Sequence, residues 1–244
     1  ILPYSYAGTM GLVQGESMAA RFFHRLGASL LDRTICASAG AAGLTATYGG
    51  KVGMRTEHFA QSKLILIWGS NSIASNLHFW TFVQQAKRNG AKLWCIDPRR
   101  TETADKCHRH LAIKPGTDGA LALALARELI VRDELDHDYI RDHVDGFEVL
   151  RDKAMPWTLE RTAAECGVAL EDLQELARDY GAARHGNAAA PAAIRLNYGM
   201  QRVRGGGNAV RLVALLPCLI GAWRHAGGGM LLSSSGWFSG VRRD

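Results

Sequence analysis

The sequence predicts an α/β fold with an open, mostly parallel sheet and flanking helices. Three apolar runs each end in a polar, turn-forming group and then pass into a helical pattern; these segments are 64–71, 95–100 and 114–118. In a sheet of this kind the carboxyl ends of the strands carry the groups that contact a nucleotide. We therefore expect the chain to bind a phosphorylated cofactor along one edge of its sheet.

The regular pattern begins near residue 63. A buried strand is predicted at about 63–68 and a helix at about 73–88. The helix has an apolar face, formed by Ile73, Leu77, Trp80 and Val83. A second strand at 92–97 and a short helix after Thr101 follow. This alternation is typical of parallel strands joined by right-handed crossovers.

A third strand is predicted near 110–113, and a helix begins near Asp118. From 133 to 180 the chain reads as polar helices, with Thr158 as an N-cap. The residues of segment 36–43 have such small side chains that another element must pack closely against its backbone.

The remaining part of the chain returns to an apolar strand at about 193–198. Asn208 is expected to cap the helix that follows, and Pro217 is expected to kink it. The glycines at 227–229 predict a loop.

Composition limits the kind of protein. Of the 244 residues, 47% are hydrophobic and 21% are charged, which is ordinary for a globular chain. Arg127 and Arg211 interrupt the longest apolar stretches, so no membrane span is expected. The net charge of +6 is scattered along the chain. A nucleic-acid surface would show a basic cluster, so we expect an anionic small ligand and no nucleic-acid partner.

The five cysteines are odd in number and contain no C-x-x-C pair. This pattern argues against a disulfide framework, a zinc site and a locally encoded iron–sulfur cluster. A reducing, cytoplasmic compartment is the expectation, with the periplasm as the alternative. The sequence also lacks a P-loop and a G-x-S-x-G element, which excludes the common NTPase and hydrolase patterns.

Each of the three predicted turns has a functional and a purely structural interpretation. Gly69-Ser70-Asn71 is weak, because these residues are common in strand-to-helix turns. The segment 97–100, Asp-Pro-Arg-Arg, is stronger: a carboxylate suits ribose hydroxyls or a guanine edge, and arginines suit phosphates. Its alternative is a solvated turn. Thr117 or Asp118 could simply cap a helix, but the amides that follow Gly116 also form an anion site.

The order of motifs resembles the molybdenum and tungsten oxidoreductases of the dimethyl sulfoxide reductase superfamily, which bind two molybdopterin guanine dinucleotides. The matching landmarks run nearly the whole chain: Tyr6-Ala7-Gly8-Thr9, Cys36 with small residues to Gly43-Leu44, Gly69-Ser70-Asn71 with Ser75, Ile96-Asp97-Pro98-Arg99-Arg100, Gly116-Thr117-Asp118-Gly119, Tyr198-Gly199-Met200-Gln201, Gly221 and His225-Ala226-Gly227-Gly228.

The resemblance assigns roles to particular residues. From spacing alone, Cys36 is predicted to be a small buried packing residue and not a metal ligand. In the family, however, the matching position supplies the protein ligand to molybdenum or tungsten. One dinucleotide would contact the turns after the first three strands, namely Gly69, Ser70, Asn71, Ser75, Ile96, Asp97, Arg99, Gly116, Thr117 and Asp118. Gly199, Met200 and Gln201, with the terminal loop, would lie nearer the pterins or the second dinucleotide.

The resemblance also implies what lies elsewhere. Family formate dehydrogenases have His directly after the ligand Cys, whereas this chain has Ala37, which argues against formate oxidation. The iron–sulfur region and the barrel-like domain of the family have no counterpart here. The chain is therefore expected to be the central portion of a longer enzyme, with an iron–sulfur cluster, a small-molecule substrate, further domains of the same enzyme and an electron-transfer subunit as partners.

The expected domain organisation follows from the same resemblance. Residues 1–35 would be part of an α/β cofactor domain, 36–187 a Rossmann-like dinucleotide-binding domain with a helical insertion, and 188–244 a return into the second α/β domain. Two alternatives to a redox enzyme stay open: a cofactor-free structural homologue in a respiratory electron-transfer complex, and a non-redox hydratase of the family.

Overall fold

The computed structural model describes residues 1–4, 18–183 and 190–234. The chain divides into two compact units, one of which includes residues 1–38 and the other residues 39–234. In the first unit, helix α1 spans Met18–Arg25 and has no buried residue. The Tyr6–Thr9 landmark lies outside the described residues.

The second unit contains a five-stranded sheet. Its strands are β1 (Leu64–Trp68), β2 (Lys92–Ile96), β3 (Arg109–Leu111), β4 (Ala192–Leu196) and β5 (Gly229–Leu231). Their order in the sheet is β3-β2-β1-β4-β5, and all neighbouring strands are parallel. The predicted α/β class with an open parallel sheet is confirmed. The order reverses between β1 and β4, which is where ligands bind in sheets of this type.

Ten helices accompany the strands in this unit's described part. They are α2 (Ser38–Tyr48, whose first residue belongs to the other unit), α3 (Ser72–Ser75), α4 (Leu77–Arg88), α5 (Glu102–Lys106), α6 (Asp118–Val131), α7 (His137–His143), α8 (Phe147–Ala154), α9 (Leu159–Cys166), α10 (Leu170–Gly181) and α11 (Gly206–Leu219). Short 3-10 helices span Thr56–Gln61, Tyr198–Gln201 and Ala222–Arg224. Within the described ranges, no helix combines the length and apolarity needed to cross a membrane.

Both faces of the sheet are covered. Leu66, Ile194 and the apolar side of α6 and α11 form the larger buried cluster. On the other face, Ile65 and Ile67 pack with Phe79 of α4 in a second cluster. Because every residue of β1 and β4 is buried, these central strands read as continuous apolar runs, except for Arg195.

The close packing expected at the small residues of 36–43 is present on α2. A methyl group added to Gly43 would lie 2.5 Å from the carbonyl oxygen of Gly207, at the start of α11. A methyl group on Gly207 would lie 2.8 Å from the carbonyl oxygen of Ala39. The two helices therefore meet at backbone distance, and larger side chains at these positions would separate them.

Several local predictions need correction. The predicted helix 73–88 is broken at Asn76, whose side chain caps α4 by accepting from Phe79 N at 3.3 Å, and Leu77 is 64% exposed. Asn208 does not cap α11, which begins after Gly205 at φ +79°. Pro217 lies in the last turn of α11, which runs to Leu219, and the predicted kink there stays a prediction.

The end of the chain also differs from prediction. The glycine-rich segment expected to be a loop contains β5, which pairs with β4 in the register Ala193↔Gly229. Both β4 and β5 belong to the same sheet as β1. The assignment of 188–244 to a return into a second α/β domain stays a prediction.

Candidate functional site

The turns predicted to bind a cofactor lie at one edge of the sheet. Because β1, β2, β3 and β4 are parallel, the segments that follow them leave from the same side. A cavity of about 140 Å³ opens there. The predicted residues that line it are Gly69, Ile96, Asp97, Gly116, Asp118, Gly199 and Met200. Pro98, Ile113, Pro115 and Val203 complete the lining.

Asp118 is the buried carboxylate of this cavity. It begins α6, is 8% exposed, and its Oδ1 accepts a hydrogen bond from Trp68 Nε1 at 2.7 Å. Burial raises the pKa of Asp118, and the hydrogen bond from Trp68 opposes that shift. The last residue of β1 thus fixes the first residue of α6, 50 positions further along the chain.

The turn after β2 is organised by Asp97. Its Oδ1 accepts from the backbone N–H of Arg99 at 2.9 Å, and its carbonyl oxygen lies 2.8 Å from His110 Nε2. Arg99 and Arg100 are exposed, but they differ in their partners. Arg100 Nε donates to Asp105 at 2.6 Å. Among the described residues the Arg99 guanidinium has no hydrogen bond or ion pair, so it is available to an anion.

Six predicted cofactor-binding residues do not line the cavity, namely Ser70, Asn71, Ser75, Arg99, Thr117 and Gln201. The first three make contacts typical of a strand-to-helix turn. Ser70 Oγ lies 2.9 Å from Ser72 Oγ, and both serines are buried. Asn71 Oδ1 accepts from Thr103 Oγ1 at 2.9 Å. Ser75 Oγ donates to the carbonyl oxygen of Asn71 at 2.9 Å. These hydrogen bonds are consistent with the structural interpretation of this turn, and the cofactor contacts of the three residues stay predictions.

Glycine is required at the cavity positions for different physical reasons. Gly69 has φ +62°, and a methyl group there would meet Met200 Cγ at 2.8 Å. A methyl group on Gly199 would lie 3.0 Å from the carbonyl oxygen of Gly69. Packing between the turns after β1 and β4 therefore requires both glycines. Gly116 has φ +89° but meets nothing closer than Val203 at 3.8 Å, so only its backbone angle requires glycine.

Gln201 and Thr117 lie beside the cavity. Gln201 Oε1 accepts from the backbone N–H of Gly40, whereas its buried Nε2 has no hydrogen-bond partner among the described residues. Gln201 lines a neighbouring hollow of about 490 Å³ between α2 and the start of α11. Thr117 precedes α6, and its Oγ1 donates to the carbonyl oxygen of Lys114 at 2.7 Å. A buried amide donor without a protein partner is a place where a ligand oxygen would be accepted.

Cys36 belongs to the other compact unit. It is half-buried in the turn that precedes α2, and Ala37 follows it. Across the described ranges, no three His, Cys, Asp or Glu side chains are grouped as metal ligands. The assignment of Cys36 as a metal ligand therefore stays a prediction.

The sequence did not assign Trp68, Ile113 or Val203 to the site. Trp68 was read only as the apolar end of β1, and Val203 was not singled out. An indole at the last position of a strand could have been noticed, because its buried N–H needs an acceptor. No signal in the sequence marks Val203 as a lining residue.

The residues at this edge fit a phosphorylated nucleotide. They offer a carboxylate at Asp97 for hydroxyl or amino groups, a guanidinium at Arg99 for a phosphate, and a buried amide donor at Gln201. The 140 Å³ cavity is smaller than the usual 300–1,000 Å³ of a site for a drug-sized ligand. It therefore has room for a small group only.

The chain has relatives along nearly its whole length. It is 38% identical over 236 residues to the probable oxidoreductase YoaE of Bacillus subtilis. That alignment covers 97% of this chain and 34% of YoaE. It is 32% identical over 185 residues to the F420-dependent formate dehydrogenase subunit alpha of Methanocaldococcus jannaschii, covering 75% of this chain and 27% of that protein. The chain thus spans about a third or less of the length of these relatives.

A solved structure shares the fold. Acetylene hydratase from Pelobacter acetylenicus superimposes with a TM-score of 0.69 over 86% of this chain and 28% of that chain, at 23% identity. The family model described as molybdopterin oxidoreductase matches residues 5–233. Since that match covers most of the sequence, the chain belongs to the molybdopterin oxidoreductase family.

Proposed function

We propose that this chain is the central cofactor-binding portion of an oxidoreductase that holds molybdenum or tungsten in two molybdopterin guanine dinucleotides. The observation that carries the proposal is the meeting of Gly69, Asp97 and Gly116, from three separate turns, at one cavity. Membership of the molybdopterin oxidoreductase family supports the pterin part of the proposal. The parallel sheet supports the dinucleotide part, because nucleotides bind at the carboxyl edge of such sheets.

The residues would divide the binding task by their chemistry. Asp97 would accept hydrogen bonds from ribose hydroxyls or a guanine edge, and Arg99 would pair with a phosphate. The amides that follow Gly116 and Thr117, at the start of α6, would donate to an anionic oxygen. Asp118 would be held in place by Trp68 and would contact the ligand only from the cavity wall.

The turn after β4 would serve the pterins or the second dinucleotide. Gly199 and Met200 line the cavity on the side opposite Asp97's strand, across the point where the strand order reverses. The unpartnered Nε2 of Gln201 would donate to a ligand oxygen or ring nitrogen. Ser70, Asn71 and Ser75 would support these contacts by holding the turn after β1.

Cys36 would complete the coordination of the metal. A thiolate is soft and electron-donating, so it suits molybdenum or tungsten and influences the metal's potential. The bound metal would supply oxygen-atom or hydride-equivalent transfer, and electrons would leave through an iron–sulfur cluster in another region of the polypeptide and an electron-transfer subunit. Because Ala37 offers no titratable group beside Cys36, we expect a small-molecule substrate other than formate.

Metal and nucleotide analysis of the complete enzyme tests this proposal. Inductively coupled plasma mass spectrometry after anaerobic purification should give molybdenum or tungsten in stoichiometric amount, with guanine nucleotide released on acid denaturation. Absence of both metals and of guanine nucleotide would refute the proposal and leave a structural homologue. Metal and nucleotide without turnover of artificial electron donors or acceptors would exclude the redox activity and leave a hydratase.

A further inference from the structure

Arg195 is a charged residue in the middle of an apolar strand. Its four neighbours in β4 are Ala192, Ala193, Ile194 and Leu196. It is 6% exposed, and its guanidinium carbon lies 5.4 Å from the ring centre of Phe79. It therefore lies on the face covered by α4, close to the carboxyl end of the sheet.

The hydrogen bonds of Arg195 use one nitrogen. Nη1 donates to the carbonyl oxygens of Leu231 at 3.1 Å, Leu232 at 2.5 Å and Leu196. Nε is buried and has no hydrogen-bond partner in the part of the chain that the structure describes. No carboxylate forms an ion pair with Arg195 there either.

A buried guanidinium without a counter-charge is costly. Three carbonyl dipoles and an aromatic face offset part of that cost, but Nε–H lacks the hydrogen bond that it would have in water. Burial lowers the pKa of Arg195 to about 10, so the group still carries its charge at neutral pH. The fold thus keeps a positive charge at the carboxyl ends of β4 and β5.

We propose that Arg195 is the counter-charge of a phosphate-bearing ligand, and that its Nε–H donates to an anionic oxygen of that ligand at the carboxyl ends of β4 and β5. This site is additional to the cavity beside Asp97 and Gly116, since neither Arg195 nor any residue of β5 lines that cavity. The inference rests on the proposed function, because a dinucleotide supplies the phosphates.

Phosphate fits the geometry because guanidinium groups bind its oxygens through directed N–H bonds. Nη1 is already held by the three carbonyl oxygens, so donation from Nε to a ligand oxygen would cost little further side-chain freedom. The competing explanation is that Arg195 only ties the end of β5 to β4. A carboxylate from another part of a longer polypeptide is a third source of negative charge.

Arg195→Met tests the proposal by removing the charge while keeping a long side chain. Arg195→Lys keeps a charge but lacks the Nε–H. Arg178→Met, at an exposed position of α10, is the matched control because it removes one positive charge elsewhere in the same unit. Two quantities should be measured on the complete protein: guanine nucleotide released per chain, and the affinity of the cofactor-free form for inorganic pyrophosphate.

We expect Arg195→Met to bind pyrophosphate at least about tenfold more weakly than wild type and to retain less guanine nucleotide, with a smaller loss for Arg195→Lys and none for Arg178→Met. Wild-type pyrophosphate affinity in Arg195→Met, even with a lower melting temperature, would overturn the proposal and leave a structural tie or a carboxylate partner. If Arg195→Met does not fold, unchanged affinity in Arg195→Lys overturns it instead. A wild type without guanine nucleotide would count against the proposed function and not against this pyrophosphate comparison.

Discussion

Trp68 and Asp118 form a buried hydrogen bond of 2.7 Å between the end of β1 and the start of α6. Trp68 is fully buried and Asp118 is 8% exposed, so little solvent reaches the bond. A second tryptophan–aspartate bond lies on the neighbouring strand, where Trp94 Nε1 donates to Asp179 at 2.7 Å. The Asp179 side chain is 20% exposed and also forms an ion pair with Lys92 at 2.7 Å. The two pairs therefore differ in solvent exposure and in the cation beside Asp179.

Trp68→Phe should therefore destabilise the protein more than Trp94→Phe. The first change leaves a buried carboxylate oxygen without its donor, at a cost of about 1–3 kcal/mol, whereas Asp179 can be hydrated. Free energies of unfolding from denaturant titration compare the two variants, each of which also loses part of an indole ring. Equal losses in the two variants would show that ring packing, and not the hydrogen bond, sets the effect of Trp68.

A second prediction concerns how the free energy of unfolding depends on pH. Its direction follows from burial of Asp118, which raises the pKa of that residue. Because the folded pKa is raised above the ordinary value of 3.8, the folded state binds the proton more tightly than the unfolded state. The stability from this proton is fully present below pH 3.8 and is lost as pH rises through the raised pKa. Asp118→Asn removes this titration and keeps an oxygen that can accept from Trp68.

The free energy of unfolding of wild type minus that of Asp118→Asn should therefore fall as pH rises from about 4 toward neutrality. Asp179→Asn is the comparison variant, because Asp179 also accepts from a tryptophan but is more exposed and is paired with Lys92. A difference between wild type and Asp118→Asn that stays constant over this range would show that Asp118 has an ordinary pKa in the folded protein.

The sequence predicted the sheet and the edge at which the turns after its strands meet, because both depend on local pattern. Apolar runs, turn residues and helical spacing identified β1, β2, β3 and β4 near their observed positions. The break at Asn76 was missed because Leu77 fits the helical period although it is exposed. β5 was missed because its pairing with β4 outweighs its glycine content.

Long-range contacts account for the rest of what the sequence did not show. The bond between Trp68 and Asp118 and the carbonyl contacts of Arg195 join residues tens of positions apart. The hydrophobic periodicity of a sequence does not indicate such long-range pairs. The glycines at 69 and 199 were predicted for cofactor binding, yet contact between two turns already requires them. The sequence can thus locate a motif without showing which contacts require its residues.

Arg99 and Arg100 allow a third prediction, since they are adjacent and both exposed, but among the described residues only Arg100 is paired with a carboxylate. Arg99→Ala in the complete enzyme should lower dinucleotide occupancy, because each charge-assisted phosphate contact contributes about 1.5–3 kcal/mol. Arg100→Ala should have the smaller effect. The measurement is guanine nucleotide released per chain on acid denaturation. Unchanged release from Arg99→Ala would show that Arg99 does not contact a phosphate.

The last prediction concerns Cys36, which separates a redox enzyme from an inert scaffold. Cys36→Ala should remove a thiolate from the metal, while the many contacts to two large dinucleotides retain the cofactor. Metal content should stay near that of wild type, the electron paramagnetic resonance signal of the metal should change, and turnover should collapse because the potential depends on that ligand. Cys107→Ala, at another half-buried cysteine, should change neither the signal nor the turnover. Wild-type activity and an unchanged signal in Cys36→Ala would show that Cys36 is only a small packing residue in the turn before α2.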